Sequence, residues 1–256
     1  MDIRVSFEVL YRPGYQDKYR KQMNSKQVVE RLQTLANPQK ISIKEQKFGI
    51  HANNSLGIYH KDLKHLAREI GHDNNLALAL FETGIYEARI LCSKIYNPEC
   101  ISEEQMNQWV VTFENWEICD SFCMGFFTKS KYALTKAAEW SEDKSEFIKR
   151  AGFVIMAAYG FANKKSGNEV FEKFFLPIER EADDDRLYVK KAVNWTLRNI
   201  GKRNVDLQKK AIEVSNRILT MDSKSAKWIA RNAISELEKP DVNVLDYPRD
   251  IYRPKI

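Results

Sequence analysis

The chain has 256 residues, of which 43% are hydrophobic and 30% are charged, and it contains only ten glycines and seven prolines. This composition is typical of a soluble globular protein and excludes collagen-like and disordered chains. No apolar run approaches the roughly 20 residues of a membrane span, so we expect a cytoplasmic protein with no membrane partner. The net charge of +6 is by itself only weak evidence for a nucleic-acid partner.

The chain divides into three predicted parts. Residues 1–24 are charged and aromatic without a clear periodicity and are interpreted as an N-terminal extension. Over residues 25–238, apolar residues recur at the spacing of a helix face, as in the run from Leu63 to Ile70. Residues 239–256 contain repeated prolines and are interpreted as an extended or disordered C-terminal tail.

The middle part shows little strand-like alternation, and glycines and polar residues mark the ends of its helices. Because the predicted helices are joined by short turns and have no heptad repeat, the pattern favours antiparallel pairs stacked as a solenoid. We therefore predict an all-α fold, an α-α superhelix of HEAT-like helix pairs of the armadillo/HEAT type. The helices are predicted at residues 25–35, 59–70, 75–82, 85–95, 103–113, 116–127, 130–139, 143–161, 168–180, 186–200, 204–220 and 223–237.

One predicted helix begins with a tryptophan and an aspartate four residues apart. Trp116 and Asp120 therefore lie on one helix face. The pair alone is more typical of a packed aromatic residue and a surface or capping carboxylate. We also assign Trp109, Trp140 and Trp228 to the core, because each sits among apolar residues at helical spacing.

Charge is concentrated near the C-terminal end. The segment from Arg186 to Arg231, called the basic segment below, contains twelve basic and three acidic residues, a net charge of +9. Such a segment fits a phosphate-contacting face, although surface lysines are often only solvated. The acidic run before it, from Glu179 to Asp185, is interpreted as a cap for the next helix.

Metal and cofactor chemistry have little support. The four cysteines form no CxxC pair, and the four histidines form no HExxH pattern. We expect reduced, mostly buried thiols, no metal and no cofactor. Phosphate-binding loops, nucleophile triads and dinucleotide fingerprints are also missing from the sequence.

Several segments together resemble the AlkD-like family of DNA alkylation repair proteins. They are Lys47–Ile50 with Ser55–Ile58, Gly84–Arg89, Asn115–Asp120, Phe147–Gly152 and Val189–Lys202, so that the resemblance extends from about Ser25 to Leu237. It implies a HEAT-like superhelix, duplex DNA as the partner, and hydrolytic removal of purines alkylated at N3 or N7. Such a lesion is cationic, and we expect a monomeric enzyme.

The resemblance also implies residue roles. Asp120 would be the catalytic carboxylate, because a carboxylate beside the sugar can stabilise a developing oxocarbenium ion. Trp116 and Trp195 would hold the cationic lesion and its sugar, and Arg150 would grip a phosphate. The predicted DNA contacts are Lys149, Arg150, Lys190, Lys191, Arg198, Lys202 and Arg203.

Two other functions remain open at this point. One is a catalytically silent binder of damaged or branched DNA, and the other is a helical-repeat scaffold that binds protein. The aligned residues favour the glycosylase. The basic segment favours either DNA-binding function over the scaffold, because a protein scaffold needs no such charge.

Overall fold

The structure is a computed structural model that describes residues 23–239. All but two residues of the predicted N-terminal extension, and all but one residue of the predicted tail, lie outside this range. The described residues form fourteen α-helices, one 3₁₀ turn at Phe127–Lys129 and no strand. The helices are α1 Ser25–Thr34, α2 Pro38–Phe48, α3 His60–Ile70, α4 Asn74–Phe81, α5 Tyr86–Ile95, α6 Glu103–Val110, α7 Trp116–Gly125, α8 Ala133–Trp140, α9 Glu146–Ala162, α10 Asn168–Glu172, α11 Phe175–Arg180, α12 Leu187–Gly201, α13 Val205–Leu219 and α14 Lys224–Leu237.

The all-α prediction is confirmed, but two helix assignments are wrong. Helix α2 was not predicted, although Pro38 is its first residue and Gly49 ends it in the left-handed conformation with φ of 61°. The predicted helix at 168–180 is two short helices, because the chain turns between α10 and α11. In the described part of the chain, no helix is both long and apolar enough to cross a membrane.

Helices α3, α5, α7, α9, α12 and α14 form a row in which each packs against the next. The intervening helices cover this row, with α4 on α5, α8 on α9 and α13 on α14. Tyr86 of α5 binds Glu117 of α7, and Arg150 of α9 binds both Asp120 of α7 and the backbone carbonyl of Tyr188 on α12. These contacts lie near the start of each helix, so the four helices begin at the same edge of the row.

A cluster of aromatic rings forms the core where α6 and α7 meet. The ring of Trp109 lies 5.1 Å from that of Phe81 and 5.5 Å from that of Phe122, measured between centroids. Trp109 and Trp140 are buried, as predicted. The core assignment of Trp228 is wrong, because 41% of this residue is exposed on α14.

A buried carboxylate fixes the loop that precedes α3. Glu87, on α5, accepts hydrogen bonds from the backbone N–H groups of Leu56, Gly57 and Ile58, at 2.7, 2.9 and 3.1 Å. Gly57 has φ of 72°, and a Cβ there would collide with the carbonyl oxygen of Asn37. Two of the segments that carry the family resemblance therefore bind each other and shape the start of the row.

Candidate active site

The first turn of α7 is held by its capping residue. Asn115 is buried, and its Oδ1 accepts hydrogen bonds from the backbone N–H groups of Glu117 and Ile118 at 2.9 and 3.2 Å. Its amide nitrogen donates to the carbonyl of His51 at 3.0 Å. This cap fixes where α7 begins and which way Trp116, its first residue, projects.

Helix α2 holds two aromatic side chains of the site. The indole N–H of Trp116 donates to the carbonyl of Phe48 at 3.0 Å. The next carbonyl, that of Gly49, accepts from the hydroxyl of Tyr188, on α12, at 3.3 Å. The unpredicted helix therefore positions a predicted site residue, and both contacts are made by carbonyls of the segment from Lys47 to Ile50.

Asp120 and Arg150 form a bidentate ion pair. The Nε and Nη2 atoms of Arg150 donate to the two carboxylate oxygens of Asp120 at 3.0 and 2.9 Å. The remaining Nη1 donates to the backbone carbonyl of Tyr188 at 2.8 Å. Only 7% of the Arg150 side chain is exposed, against 16% for Asp120. Arg150, predicted to grip a phosphate, is thus engaged by protein groups and fixes the carboxylate of Asp120.

A second carboxylate on α7 is fully occupied by donors. Glu117 pairs with Lys44 at 2.9 Å and with His60 at 3.2 Å, and the Tyr86 hydroxyl lies 3.0 Å from its Oε2. Burial alone would raise the pKa of Glu117, but the hydrogen bonds from His60 and Lys44 outweigh it and lower the pKa to about 2. Glu117 therefore stays ionised as a structural anchor.

Trp116 and Asp120 share a cavity of about 400 Å³, called the Asp120 cavity below. Burial raises the pKa of the Asp120 carboxyl, and the Arg150 guanidinium opposes that rise. The cavity wall thus offers an indole and a carboxylate held in one orientation, beside several basic groups. The other lining residues include His60, Lys64, Lys94 and Glu117.

Trp195 does not line the Asp120 cavity. It lies on α12, where its ring stacks on that of Phe161 with the centroids 6.4 Å apart. Tyr188, Lys191 and Trp195 are spaced at i, i+3 and i+7, so they share one helix face. Trp195 is therefore about 10 Å along the helix axis from Tyr188, and the four residues of the predicted site are not gathered around one point.

Comparison with known proteins identifies the family. A sequence model described as DNA alkylation repair enzyme matches residues 28–237. The chain belongs to this DNA alkylation repair enzyme family. Among proteins of curated function, no significant match is found.

Two solved structures are similar in fold to this member of the family. One represents a new family related to the HEAT-like repeat DNA glycosylases with affinity for branched DNA structures; it is 19% identical, with a TM-score of 0.67 over 84% of this chain and 95% of that chain. The other is smu.31 from Streptococcus mutans UA159, which is 20% identical, with a TM-score of 0.53 over 82% of this chain and 98% of that chain. The HEAT-like solenoid prediction is thereby confirmed.

Two further residues of this chain that were predicted to contact DNA, Lys149 and Arg203, are buried. Lys149 forms ion pairs with Glu181 and Asp184, the latter at 3.4 Å. Arg203 donates to the carbonyls of Gly160 and Ser166, and its guanidinium lies over the ring of Phe171, 3.6 Å from the centroid. Because these groups are enclosed by protein, neither residue presents its charge on a free surface.

The acidic run does not cap α12, contrary to the prediction. Arg186, at the capping position, makes no side-chain capping hydrogen bond. Instead Glu146, on α9, accepts from the backbone N–H of Tyr188 at 3.2 Å. Three acidic residues of the run pair with basic side chains instead: Glu179 with Arg217, Glu181 with Lys149 and Arg180, and Asp184 with Arg186 and Lys149.

Much of the charge in the basic segment is neutralised within the fold. Arg198 and Lys202, both predicted DNA contacts, share Glu236 on α14. Four more basic residues pair with other carboxylates: Arg186, Lys210, Arg217 and Lys227. Five make no ion pair with any residue of the described range 23–239: Lys190, Lys191, Lys209, Lys224 and Arg231.

Trp228 is an exposed aromatic surface that the periodicity did not reveal. The Nζ of Lys190 lies 5.7 Å from the centroid of its ring. Lys224, Trp228 and Arg231 are spaced at i, i+4 and i+7 along one face of α14 and line a shallow cavity of about 490 Å³. An indole surrounded by unneutralised cations is a surface suited to nucleic acid.

A second basic cavity lies between α3, α5 and α7 and is called the Lys129 cavity below. It has a volume of about 300 Å³, and Lys64, Arg68, Lys94 and Lys129 line it together with no described carboxylate. The sequence shows Lys64 and Arg68 as an i, i+4 pair but carries no local signal that Lys94 and Lys129 join them. Within residues 23–239, no three His, Cys, Asp or Glu side chains are grouped so that they could hold a metal ion.

Proposed function

We propose that this protein is a DNA glycosylase that hydrolyses the N-glycosidic bond of purines alkylated at N3 or N7 in duplex DNA. Its membership of the DNA alkylation repair enzyme family supports this class of reaction. The observation that carries the proposal is the Asp120 carboxylate, oriented by Arg150 and placed with the Trp116 indole in the wall of one cavity.

In this reaction the protein has to supply mainly electrostatic stabilisation. A purine alkylated at N3 or N7 is cationic and already a good leaving group, so no strong general acid is required. The transition state develops positive charge on the sugar, which a preorganised carboxylate stabilises. Asp120 has both oxygens fixed by Arg150, so the carboxylate needs little reorganisation as that charge appears.

The indole of Trp116 supplies a surface for the cationic base or sugar. Such contacts contribute about 0.5–2 kcal/mol each, and the hydrogen bond to Phe48 keeps the ring in place. Trp195 would contact the DNA strand beyond the Asp120 cavity, because it lies further along the α12 face that begins at Tyr188. Arg150 acts through Asp120 in this proposal rather than through a phosphate.

The DNA path follows the cations that the fold leaves without ion pairs. Lys191 shares the helix face of Tyr188 and Trp195, and Lys190 and Lys224 lie beside the exposed ring of Trp228. Lysines that face a phosphate backbone release counterions when DNA binds, so affinity should fall with salt. We therefore assign the duplex to the surface that joins the Asp120 cavity to Trp228.

The test is release of 7-methylguanine or 3-methyladenine from methylated duplex DNA by the purified protein, measured by chromatography. Asp120→Asn keeps the shape of the side chain but removes its charge, and excision should fall by about 10²–10³ while DNA affinity is retained. Asp206→Asn is the matched control, because Asp206 is exposed in the first turn of α13. Circular dichroism establishes that both variants are folded.

The pH profile of excision gives a second readout. Excision requires the ionised form of Asp120, and burial raises the pKa of that carboxyl. The rate should therefore fall as pH decreases through this raised pKa, above the range of an ordinary aspartate. If the Asp120→Asn variant excises bases at the wild-type rate, Asp120 is not the catalytic carboxylate.

The second candidate function is DNA binding without excision. The similar structure with a TM-score of 0.67 comes from a family with affinity for branched DNA structures. This function makes a different prediction in the same assay: methylated duplex is bound, no base is released, and branched DNA competes better than linear DNA. If the wild-type protein binds methylated duplex but releases no base, DNA binding without excision is the function.

A further inference from the structure

Lys94 occupies a position that the proposed excision reaction does not use. It lies in the last turn of α5 and lines both the Asp120 cavity and the Lys129 cavity. Its ammonium group makes no hydrogen bond or ion pair with any residue of the described part of the chain. A partly buried amine without a partner, in the wall of a cavity, is free to react with what enters that cavity.

The charges around Lys94 come from three sides. Helix α3 and the turn after it contribute Lys64, Arg68 and His72, and the 3₁₀ turn contributes Lys129. Helix α7 contributes Glu117 and Asp120, but Lys44 and His60 already bind the first and Arg150 binds the second. Lys94 therefore faces an excess of positive charge.

These surroundings favour the neutral amine. Burial and the charge of Lys64 lower the pKa of Lys94 to about 8, and Glu117 opposes them only in part. Near pH 7.5 roughly a quarter of such an amine is neutral, against roughly a thousandth for an ordinary lysine. Desolvation and a neighbouring cation are a known means of activating a lysine for attack on a carbonyl.

We infer that Lys94 is a nucleophile that forms an imine with the abasic deoxyribose in the Asp120 cavity. The inference rests on the proposed function, because hydrolysis of the glycosidic bond leaves this sugar beside Asp120. The open-chain form of the sugar carries an aldehyde at C1′. The Nζ of Lys94 adds to C1′, and the carbonyl oxygen leaves as water, so that a carbon–nitrogen double bond forms.

The imine opens a further step that needs no oxidant or reductant. It acidifies the C2′ hydrogen, which is lost to water as a proton. The electron pair forms a C2′–C3′ double bond while the C3′–O bond breaks, and the downstream strand leaves with its 5′-phosphate. Hydrolysis of the imine then regenerates Lys94, so the protein would nick the strand after the base has gone.

The test uses a short duplex with one preformed abasic site, which bypasses base excision altogether. The full chain is incubated with this duplex and sodium borohydride, which reduces an imine to a stable secondary amine. We expect a covalent protein–DNA adduct on a denaturing gel, and peptide mapping should place the linkage at Lys94. Lys94→Arg keeps the charge but not the nucleophile, so adduct should fall at least about tenfold while duplex affinity is retained.

Variants of Lys64 distinguish the nucleophilic role of Lys94 from the effect of the charges around it. Lys64→Arg changes another lysine of both cavities and keeps its charge, so the adduct should persist. Lys64→Gln removes the repelling charge, so the pH midpoint of trapping, expected at about 8 in the wild type, should move upward. Lys94→Gln provides a second loss variant if Lys94→Arg is poorly folded.

Two results would overturn the inference. One is wild-type adduct levels in Lys94→Arg and Lys94→Gln, which would assign the amine to another residue. The other is no adduct in the wild type at concentrations where the abasic duplex is bound. If the protein excises methylated bases but forms no adduct, only the role of Lys94 is contradicted. If it forms the adduct but excises no base, only the proposed glycosylase activity is contradicted.

Discussion

Charged residues serve different purposes in two regions of this protein, the first turn of α7 and the basic segment from Arg186 to Arg231. At α7, Lys44 and Arg150 are buried, and each is bound to one carboxylate of the helix. In the basic segment, the ion pairs are partly exposed, as for Arg198 and Arg217, and several cations have no ion pair in the described structure.

The difference shows that charge summed along a sequence overstates the charge available to a ligand. The basic segment has a net charge of +9, yet half of its twelve basic residues are paired with carboxylates of the fold. The Lys129 cavity, in a part of the sequence with no conspicuous net charge, has four basic residues and no described carboxylate in its wall. Burial and pairing, rather than composition, decide which charges DNA can meet.

The largest effect is expected when the buried pair is broken. Arg150→Ala leaves Asp120 buried and charged, and this should lower the free energy of unfolding by about 3–5 kcal/mol. Arg198→Ala is the matched change in the basic segment, where Lys202 remains to pair with Glu236, and it should cost less than about 1 kcal/mol. Denaturant unfolding measures both, and equal losses would contradict the distinction between the two regions.

A somewhat smaller effect is expected at Glu117. Because its pKa in the folded protein is lowered to about 2, its contribution to stability is present above the unfolded pKa of about 4.3 and is lost as pH falls towards about 2. Glu117→Gln should therefore lower the free energy of unfolding by about 3 kcal/mol at neutral pH.

The acid limb of stability provides the control for Glu117. Stability of the variant should depend less on pH between about 5 and about 2, because the group that titrates there has been removed. Glu179→Gln removes the exposed partner of Arg217 and should change stability by less than about 1 kcal/mol. A wild-type acid limb in Glu117→Gln would mean that another carboxylate governs acid unfolding.

The smallest effect concerns DNA affinity and separates paired from unpaired cations. The double variant Lys191→Gln/Lys224→Gln should weaken duplex binding about tenfold and reduce the slope of log affinity against log salt by about 0.9 for each lost phosphate contact. Arg198→Gln/Lys202→Gln changes the net charge equally but removes cations already paired with Glu236. Fluorescence anisotropy titrations at several salt concentrations compare the two double variants. Equal slopes would contradict the distinction between paired and unpaired cations.

The overall architecture was predictable because it depends on helical periodicity, which is local. Helix α2 escaped prediction because the residue it buries is Lys44 rather than an apolar stripe. Its end signals, Pro38 and Gly49, were nevertheless in the sequence. Trp228 was misassigned because the buried face of α14 is set by Ile229, and the preceding residue lies about 100° away around the helix.

The site was predictable only in part. The family pattern named Trp116, Asp120, Arg150 and Trp195, and the first two share a cavity. No local rule indicates that Arg150 would bind Asp120 through its Nε and Nη2 atoms, since the two residues are thirty positions apart. The unpaired state of Lys94 is equally non-local, because it depends on which partners Glu117 and Asp120 find elsewhere.

The contacts at the end of α2 have a consequence for cooperativity. Repeats in a helical solenoid mostly touch their neighbours, so such arrays can lose order from one end while the rest stays folded. Here the hydrogen bonds from Trp116 to Phe48 and from Tyr188 to Gly49 span 68 and 139 residues of chain. Fraying that begins at α1 and α2 would therefore release the rings of Trp116 and Tyr188 together, while Asp120 and Arg150 keep their ion pair.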